Sequence, residues 1–148
     1  VQQRISLITL GVRDLAVSKR FYTEILGWEP VESPPEVVFF DLGGLVFSLY
    51  PHESLAADFN TTAPTDQPTY RGFTLAHNLR SEAEVNALFE HLKKHDVVIL
   101  KEPEKVFWGG YSGYFTDPDG HCWEIAHNPF WTIKDDGRIE MQPPDVDE

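Results

Sequence analysis

Tyr114-Phe115-Thr116-Asp117-Pro118-Asp119-Gly120-His121-Cys122-Trp123-Glu124-Ile125 reads as a hairpin: a β-prone run, a turn and a second β-prone run. Asp117-Pro118-Asp119-Gly120 supplies the turn. Proline pre-sets its own φ, aspartate oxygens accept from nearby main-chain N–H groups, and glycine tolerates positive φ. In a regular strand Glu124 shares a face with Cys122 and Ala126 and opposes Trp123 and Ile125. The two large apolar groups therefore turn to a core, and the carboxylate turns to the other side of the sheet.

Upstream of this hairpin the chain supplies the rest of a module. Tyr70 to Asn78 is strand-like, and Ser81-Glu82-Ala83-Glu84 has capping-box spacing. Val85, Leu88, Phe89 and Leu92 then form a helical stripe that ends in Lys93 and Lys94. Strand-like runs follow at Val97 to Lys101, Gly110 to Thr116 and His121 to His127. The first half has the same order. Ile5 to Val12 is a strand. Asp14 caps a helix carrying Leu15, Phe21, Tyr22, Ile25 and Leu26, and Gly27 closes it. Trp28 to Glu32 reads as a further strand, and Val37 to Leu42 and Leu45 to Tyr50 flank a Gly43-Gly44 turn. Pro51 to Pro68 reads as a connecting loop.

The expected fold class is α+β: two tandem βαβββ modules, about 4–55 and 70–130, whose sheets curve around a cavity with the helices outside. Together they form one domain, 4–130. Residues 131–148 form an acidic extension, with six acidic residues against Lys134 and Arg138, and the end from Pro143 to Glu148 is expected to fray.

Composition narrows the function. With 148 residues, 41% apolar and 13% aromatic, the chain has enough material for a core. A net charge of -12 repels phosphate backbones and anionic lipid, so neither nucleic acid nor membrane is an expected partner. No apolar run approaches the roughly 20 residues that span a bilayer, and Val1 to Arg4 leads into a strand instead of a signal-peptide core. One cysteine, Cys122, forms no intrachain disulfide, which fits a reducing cytoplasm.

Two motifs carry a resemblance. Val12-Arg13-Asp14-Leu15 with Ser18, Phe21-Tyr22 and Leu26-Gly27 resembles the opening of the glyoxalase/bleomycin-resistance/dioxygenase (vicinal oxygen chelate) superfamily, and the Asp117 to Glu124 hairpin resembles its close. The resemblance implies paired βαβββ modules, a homodimer, and often a divalent metal held by one residue from each of four strands. By that resemblance the metal positions fall on Leu7, near Ser48 (with Val46 and Tyr50 as same-face neighbours), near Phe73, and on Glu124. Leucine, serine and phenylalanine do not supply the three or so protein ligands that a catalytic centre needs. The expectation is therefore a family protein without the family metal centre or another cofactor, binding a small organic molecule in the cup.

Within that cup Glu124 is the candidate catalytic residue. A metal ligand, a general base, a counter-ion to a cationic ligand, and a structural carboxylate paired with Arg or Lys are all open to it. Leu7, Ser48, Tyr50, Phe73, His77, Trp108, Tyr111 and Cys122 are the candidate ligand-binding residues. His77 follows Phe73 by four and is expected on the face of Glu124; with it, His77 forms the relocated metal site of the alternative reading, a divergent lyase, isomerase or dioxygenase. Trp108, Tyr111, Tyr50 and Phe73 either stack on a planar or cationic ligand or pack as ordinary core aromatics. Phe107-Trp108-Gly109-Gly110-Tyr111 reads as a lid, and Phe130-Trp131 either covers the cavity or meets a second subunit. A third class is a non-catalytic interaction domain whose cup is closed by its own side chains. His121 and His127 point away from Glu124 by strand parity.

Overall fold

The structure, a computed structural model, describes residues 1–66, 68 and 70–141. The expected fraying of 143–148 lies outside the described residues. The chain resolves into two compact units, Val1–Thr69 with Pro118–Gly120, and Tyr70–Asp117 with His121–Glu148.

The first unit holds β1 (Leu7–Val12), α1 (Leu15–Arg20), a π-helical turn (Phe21–Ile25), β2 (Val38–Asp41), β3 (Val46–Pro51) and α2 (His52–Asp58). Asp14 caps α1 as its sequence predicts, its Oδ1 accepting from Ala16 and Val17 N–H at 3.1 and 3.2 Å. Gly27, at φ 75°, ends the segment. The sheet order is β1-β3-β2, with β1 parallel and β2 antiparallel to β3. Gly43 and Gly44, both at positive φ, make the two-residue turn between β2 and β3. One sheet face carries Leu10, Val12, Val38, Phe40, Phe47 and Leu49, all buried. Tyr22, Trp28, Phe40 and Phe47 cluster there with ring centroids 5.2 to 6.2 Å apart. Each such contact adds about 0.5–1.5 kcal/mol beyond the area it buries.

Two expectations are corrected here. Trp28 to Glu32 is not a strand: only Val31 bridges to Phe39, its N–H donating to the Phe39 carbonyl at 2.9 Å. The segment expected to be loop from Pro51 contains α2, where His52 and Leu55 pack over Gly11; a Cβ on Gly11 would lie 3.0 Å from the His52 ring.

Ser18 on α1 is fully buried, and its hydroxyl has no hydrogen-bond partner. Alanine is the better helix former and removes an unsatisfied polar atom. Ser18→Ala is therefore expected to stabilise by about 1 kcal/mol, raising Tm by about 2–4 °C in a thermal melt.

The second unit holds β4 (Leu75–Asn78), α3 (Glu82–Lys94), β5 (Ile99–Lys105), β6 (Tyr111–Thr116), β7 (Cys122–His127), β8 (Trp131–Ile133) and β9 (Ile139–Met141). Ser81 Oγ accepts from Glu84 N–H at 3.1 Å, and Glu84 reaches back to Arg80 N–H at 2.7 Å, so the predicted cap forms. The order is β4-β7-β6-β5, with β4 parallel to β7 and the other pairs antiparallel. The first strand again lies parallel to the last, the arrangement of β1 and β3. That shared topology is the internal repeat inferred from element order.

Phe115, Trp123 and Ile125 are buried on one face of this sheet, and α3 contributes Val85, Phe89 and Leu92 to the same core. Phe115 and Trp123 stack at 6.2 Å and 4°. β5, an edge strand, tolerates Pro103 and bulges beside it. Gly113 is required where α3 and β5 converge: a Cβ there would lie 2.7 Å from the Phe89 ring and 2.8 Å from the Lys101 carbonyl. Within the acidic extension, β8 and β9 pair antiparallel as a hairpin. No helix among the described residues is long and apolar enough to cross a membrane.

Candidate functional site

Strand register decides which side chains meet Glu124. On β7 it pairs with Ala76 of β4 and Tyr114 of β6. Ala76, Asn78, Tyr114, Cys122, Glu124 and Ala126 therefore share the face opposite the α3 core. Beyond the strand ends the chain brings Trp108, Asn128, Phe130 and Trp131 around that face. They enclose a recess of about 480 Å³ floored by Ala76 and Ala126, with Asn78 and Glu124 also in its wall.

Glu124 is half-buried there, and Tyr114 Oη donates to its Oε2 at 2.7 Å. No Arg or Lys pairs with it among the described ion pairs, so the structural reading of Glu124 as a buried ion-pair member is not what the fold builds. The bond to Glu124 is the main reason the Tyr114 phenol is pushed up to about 12, with burial and the nearby negative charge adding to it. Burial, and secondarily the Glu124 charge, also pushes the Cys122 thiol up, which keeps it a thiol, not a nucleophilic thiolate. Phenolate absorbance is expected to show one tyrosine titrating near 12, returning toward its ordinary 10.0 in Glu124→Gln. Because the folded-state value is raised, this bond's stabilisation is complete below pH 10.0 and is lost as pH rises through about 12.

Of the residues expected in the cup, Glu124 and Trp108 line the recess and Cys122 lies on its face. Phe130 and Trp131 also line it. Three expectations are corrected. His77 pairs with Ile125, so it lies on the face opposite Glu124. It keeps an exposed surface, yet enough protein atoms surround its ring that desolvation pushes its pKa below the ordinary imidazole value. Tyr111 pairs with His127 on that same opposite face and donates to Asn86 Oδ1 of α3 at 2.6 Å. Phe73 precedes β4, is exposed, and does not line the recess. Leu7, Ser48 and Tyr50 belong to the first unit, where register places them on one sheet face, with Leu7 exposed and Ser48 buried.

Tyr114, Asn78 and Asn128 were missed. Tyr114 was readable, since counting inward from the Asp117–Gly120 turn sets it opposite Glu124. The two asparagines carry no such signal.

The family metal can be tested against these donors. Among the described residues Glu124 belongs to no group of three His, Cys, Asp or Glu side chains close enough to share one ion. With His77 on the other face, the relocated pair does not form either. The inherited position does not fit a metal. The one such group among the described residues lies in the turn: Asp117, Asp119 and His121, with donor atoms within 4.8 Å. Several of its donor atoms already have partners. His121 Nδ1 meets Asp117 Oδ2 at 2.8 Å, and Asp119 Oδ1 accepts from Arg13 N–H at 2.9 Å.

Residues 4–125 match the model of the Glyoxalase/Bleomycin resistance protein/Dioxygenase superfamily. The chain belongs to that superfamily. A glyoxalase-related enzyme from Fulvimarina pelagi is 40% identical, with a TM-score of 0.85 over 95% of this chain and 99% of that one. The fosfomycin resistance protein FosX from Listeria monocytogenes is 26% identical, with a TM-score of 0.67 over 86% and 95%. Metallothiol transferase FosB from Staphylococcus saprophyticus is 28% identical over 123 residues, 83% of this chain and 76% of that protein. Superfamily membership and the two-module fold expected from the opening and closing motifs are thus established.

Proposed function

We propose that this superfamily member binds a small organic molecule in the recess around Glu124 without the family's metal, and that the ligand presents a flat ring with a positive charge or N–H donors. The observation that carries the reading is a half-buried carboxylate with one oxygen held by Tyr114, the other without a protein cation, under two indoles and a phenyl ring. A carboxylate in such a setting favours a donor or cation, and aromatic walls favour a flat one. Alanines at 76 and 126 leave room for a ring to approach the sheet. Asn78 and Asn128 offer amides at the sides, the Asn128 oxygen being engaged by Phe130 N–H at 2.9 Å.

The test is calorimetric titration with 1-methylquinolinium, a flat cation, against naphthalene-2-sulfonate, a flat anion of similar size. Binding of the cation alone supports the reading; equal binding, or none, overturns it. In parallel the chain is incubated with Mn, Fe, Ni or Zn and its bound metal measured.

The second reading is a metal-dependent enzyme. The Asp117, Asp119 and His121 group and the likeness to a metallothiol transferase favour it. About one metal per chain, lost in Glu124→Ala, would place the metal at the recess and overturn our reading. The same stoichiometry retained in Glu124→Ala would place it at the turn. A homodimer is the further expectation of the family resemblance, and sedimentation equilibrium measures it.

A further inference from the structure

Trp108 is a wall of the recess that lies outside regular structure. It sits between β5 and β6 in a turn closed by two main-chain bonds, Gly109 N–H to the Val106 carbonyl and Val106 N–H to the Gly110 carbonyl, both 3.0 Å. Phe107, the preceding residue, is fully exposed, whereas Trp108 is 38% exposed and lines the recess. What holds the indole is the absence of a side chain at Gly110. A Cβ there would lie 1.8 Å from Trp108 Cη2 and 2.0 Å from Cζ3, so the ring rests directly on the Gly110 main chain.

Gly110 is not at a positive φ, unlike Gly109 at 98°. Its backbone is open to any residue, so the requirement for glycine comes from the indole and not from the turn. Beside it, a Cβ on Gly109 would lie 3.0 Å from the Phe130 ring, so the glycine pair seats two of the three aromatic walls.

We propose that Gly110 is a positioning residue of the recess: by lacking a side chain it fixes the Trp108 indole as the wall against which a ligand stacks, and so sets the thickness of ligand admitted. This rests on the ligand-binding reading for its consequence, but the placement of Trp108 is testable without a ligand.

The experiment uses the full chain labelled with 5-fluorotryptophan, which gives one fluorine resonance for each of the four tryptophans. Trp108→Phe assigns the Trp108 line. Gly110→Ala is expected to shift that line, to raise its solvent isotope effect toward that of free indole, and to leave the other three in place. Gly110→Ala is also expected to lower Tm, and that loss is expected to vanish in a Trp108→Ala background, because the clash it reports is gone. An unmoved Trp108 line, or a Tm loss of the same size in the Trp108→Ala background, would overturn the proposal. With 1-methylquinolinium, Gly110→Ala is expected to weaken binding at least tenfold; wild-type affinity in a variant whose Trp108 line has moved would also overturn it. Failure of the wild type to bind the cation refutes the ligand class, while the spectral and Tm arms still decide the Gly110–Trp108 contact.

Discussion

Asp117→Ala is expected to lower the unfolding free energy by about 3 kcal/mol, which for a chain of this size lowers Tm by about 6–12 °C. The Asp117 side chain is wholly buried and serves the main-chain N–H and the ring Nδ1 of His121. Oδ1 accepts from His121 N–H at 2.9 Å, and Oδ2 meets His121 Nδ1 at 2.8 Å. Asp117 N–H in turn donates to the His121 carbonyl at 3.1 Å, so these two residues close the turn between β6 and β7 from both sides. Alanine at 117 leaves the main-chain N–H and the ring nitrogen of His121 buried without partners, each costing about 1–3 kcal/mol. Asp117→Asn keeps an oxygen for the N–H, and its amide can face an imidazole that has changed tautomer. Its loss is expected to be less than half that of alanine. A thermal melt decides: a Tm for Asp117→Ala within 2 °C or so of wild type would show that the pair does not hold the turn.

That turn is also where the sequence was most legible. Proline, aspartate and glycine fix a turn by local chemistry alone, and a turn fixes register, so the faces of β6 and β7 followed from counting. His121 and His127 were correctly set away from Glu124 in this way: His121 pairs with Asp117, and His127 Nδ1 meets the Leu79 carbonyl at 3.0 Å. The same counting would have set Tyr111 on the wrong side of the sheet for the recess and Tyr114 on the right one. His77 failed for a different reason. Its face was counted from Phe73, which lies before β4, and strand alternation holds only within the hydrogen-bonded ladder that begins at Leu75.

The second helix was lost because its apolar side is only Leu55 and Ala56, too short a stripe to show a helical period against Asn60, Pro64 and Pro68 nearby. Trp28 to Glu32 has the composition of a strand but finds one hydrogen-bonded bridge. Its tryptophan is spent on the Tyr22–Phe40–Phe47 cluster instead of on a ladder. In each case tertiary packing overrode local preference. The recess itself combines β4, β7, the 106–110 turn and the start of β8. Only its acid and its aromatics carry a signal in sequence; its alanine floor and its amides do not.

Glu124→Gln is expected to weaken binding of 1-methylquinolinium by about 100-fold, equivalent to about 2.7 kcal/mol. Loss of a charge-assisted contact in a partly desolvated, aromatic-walled recess accounts for that size. The fold is expected to be nearly unaffected, since a glutamine oxygen still accepts from Tyr114 Oη and the side-chain volume is unchanged. Retained Tm with lost affinity is the pattern that separates an anchoring carboxylate from a structural one. Tyr114→Phe is expected to act oppositely in kind: it leaves the charge in place and removes only the bond that orients it, so affinity falls tenfold or less. Raising the salt concentration should narrow the gap between wild type and Glu124→Gln without closing it, because a half-buried charge is screened less than a surface one. Equal dissociation constants for wild type and Glu124→Gln would remove the carboxylate from the recognition and leave the aromatic walls alone to account for binding.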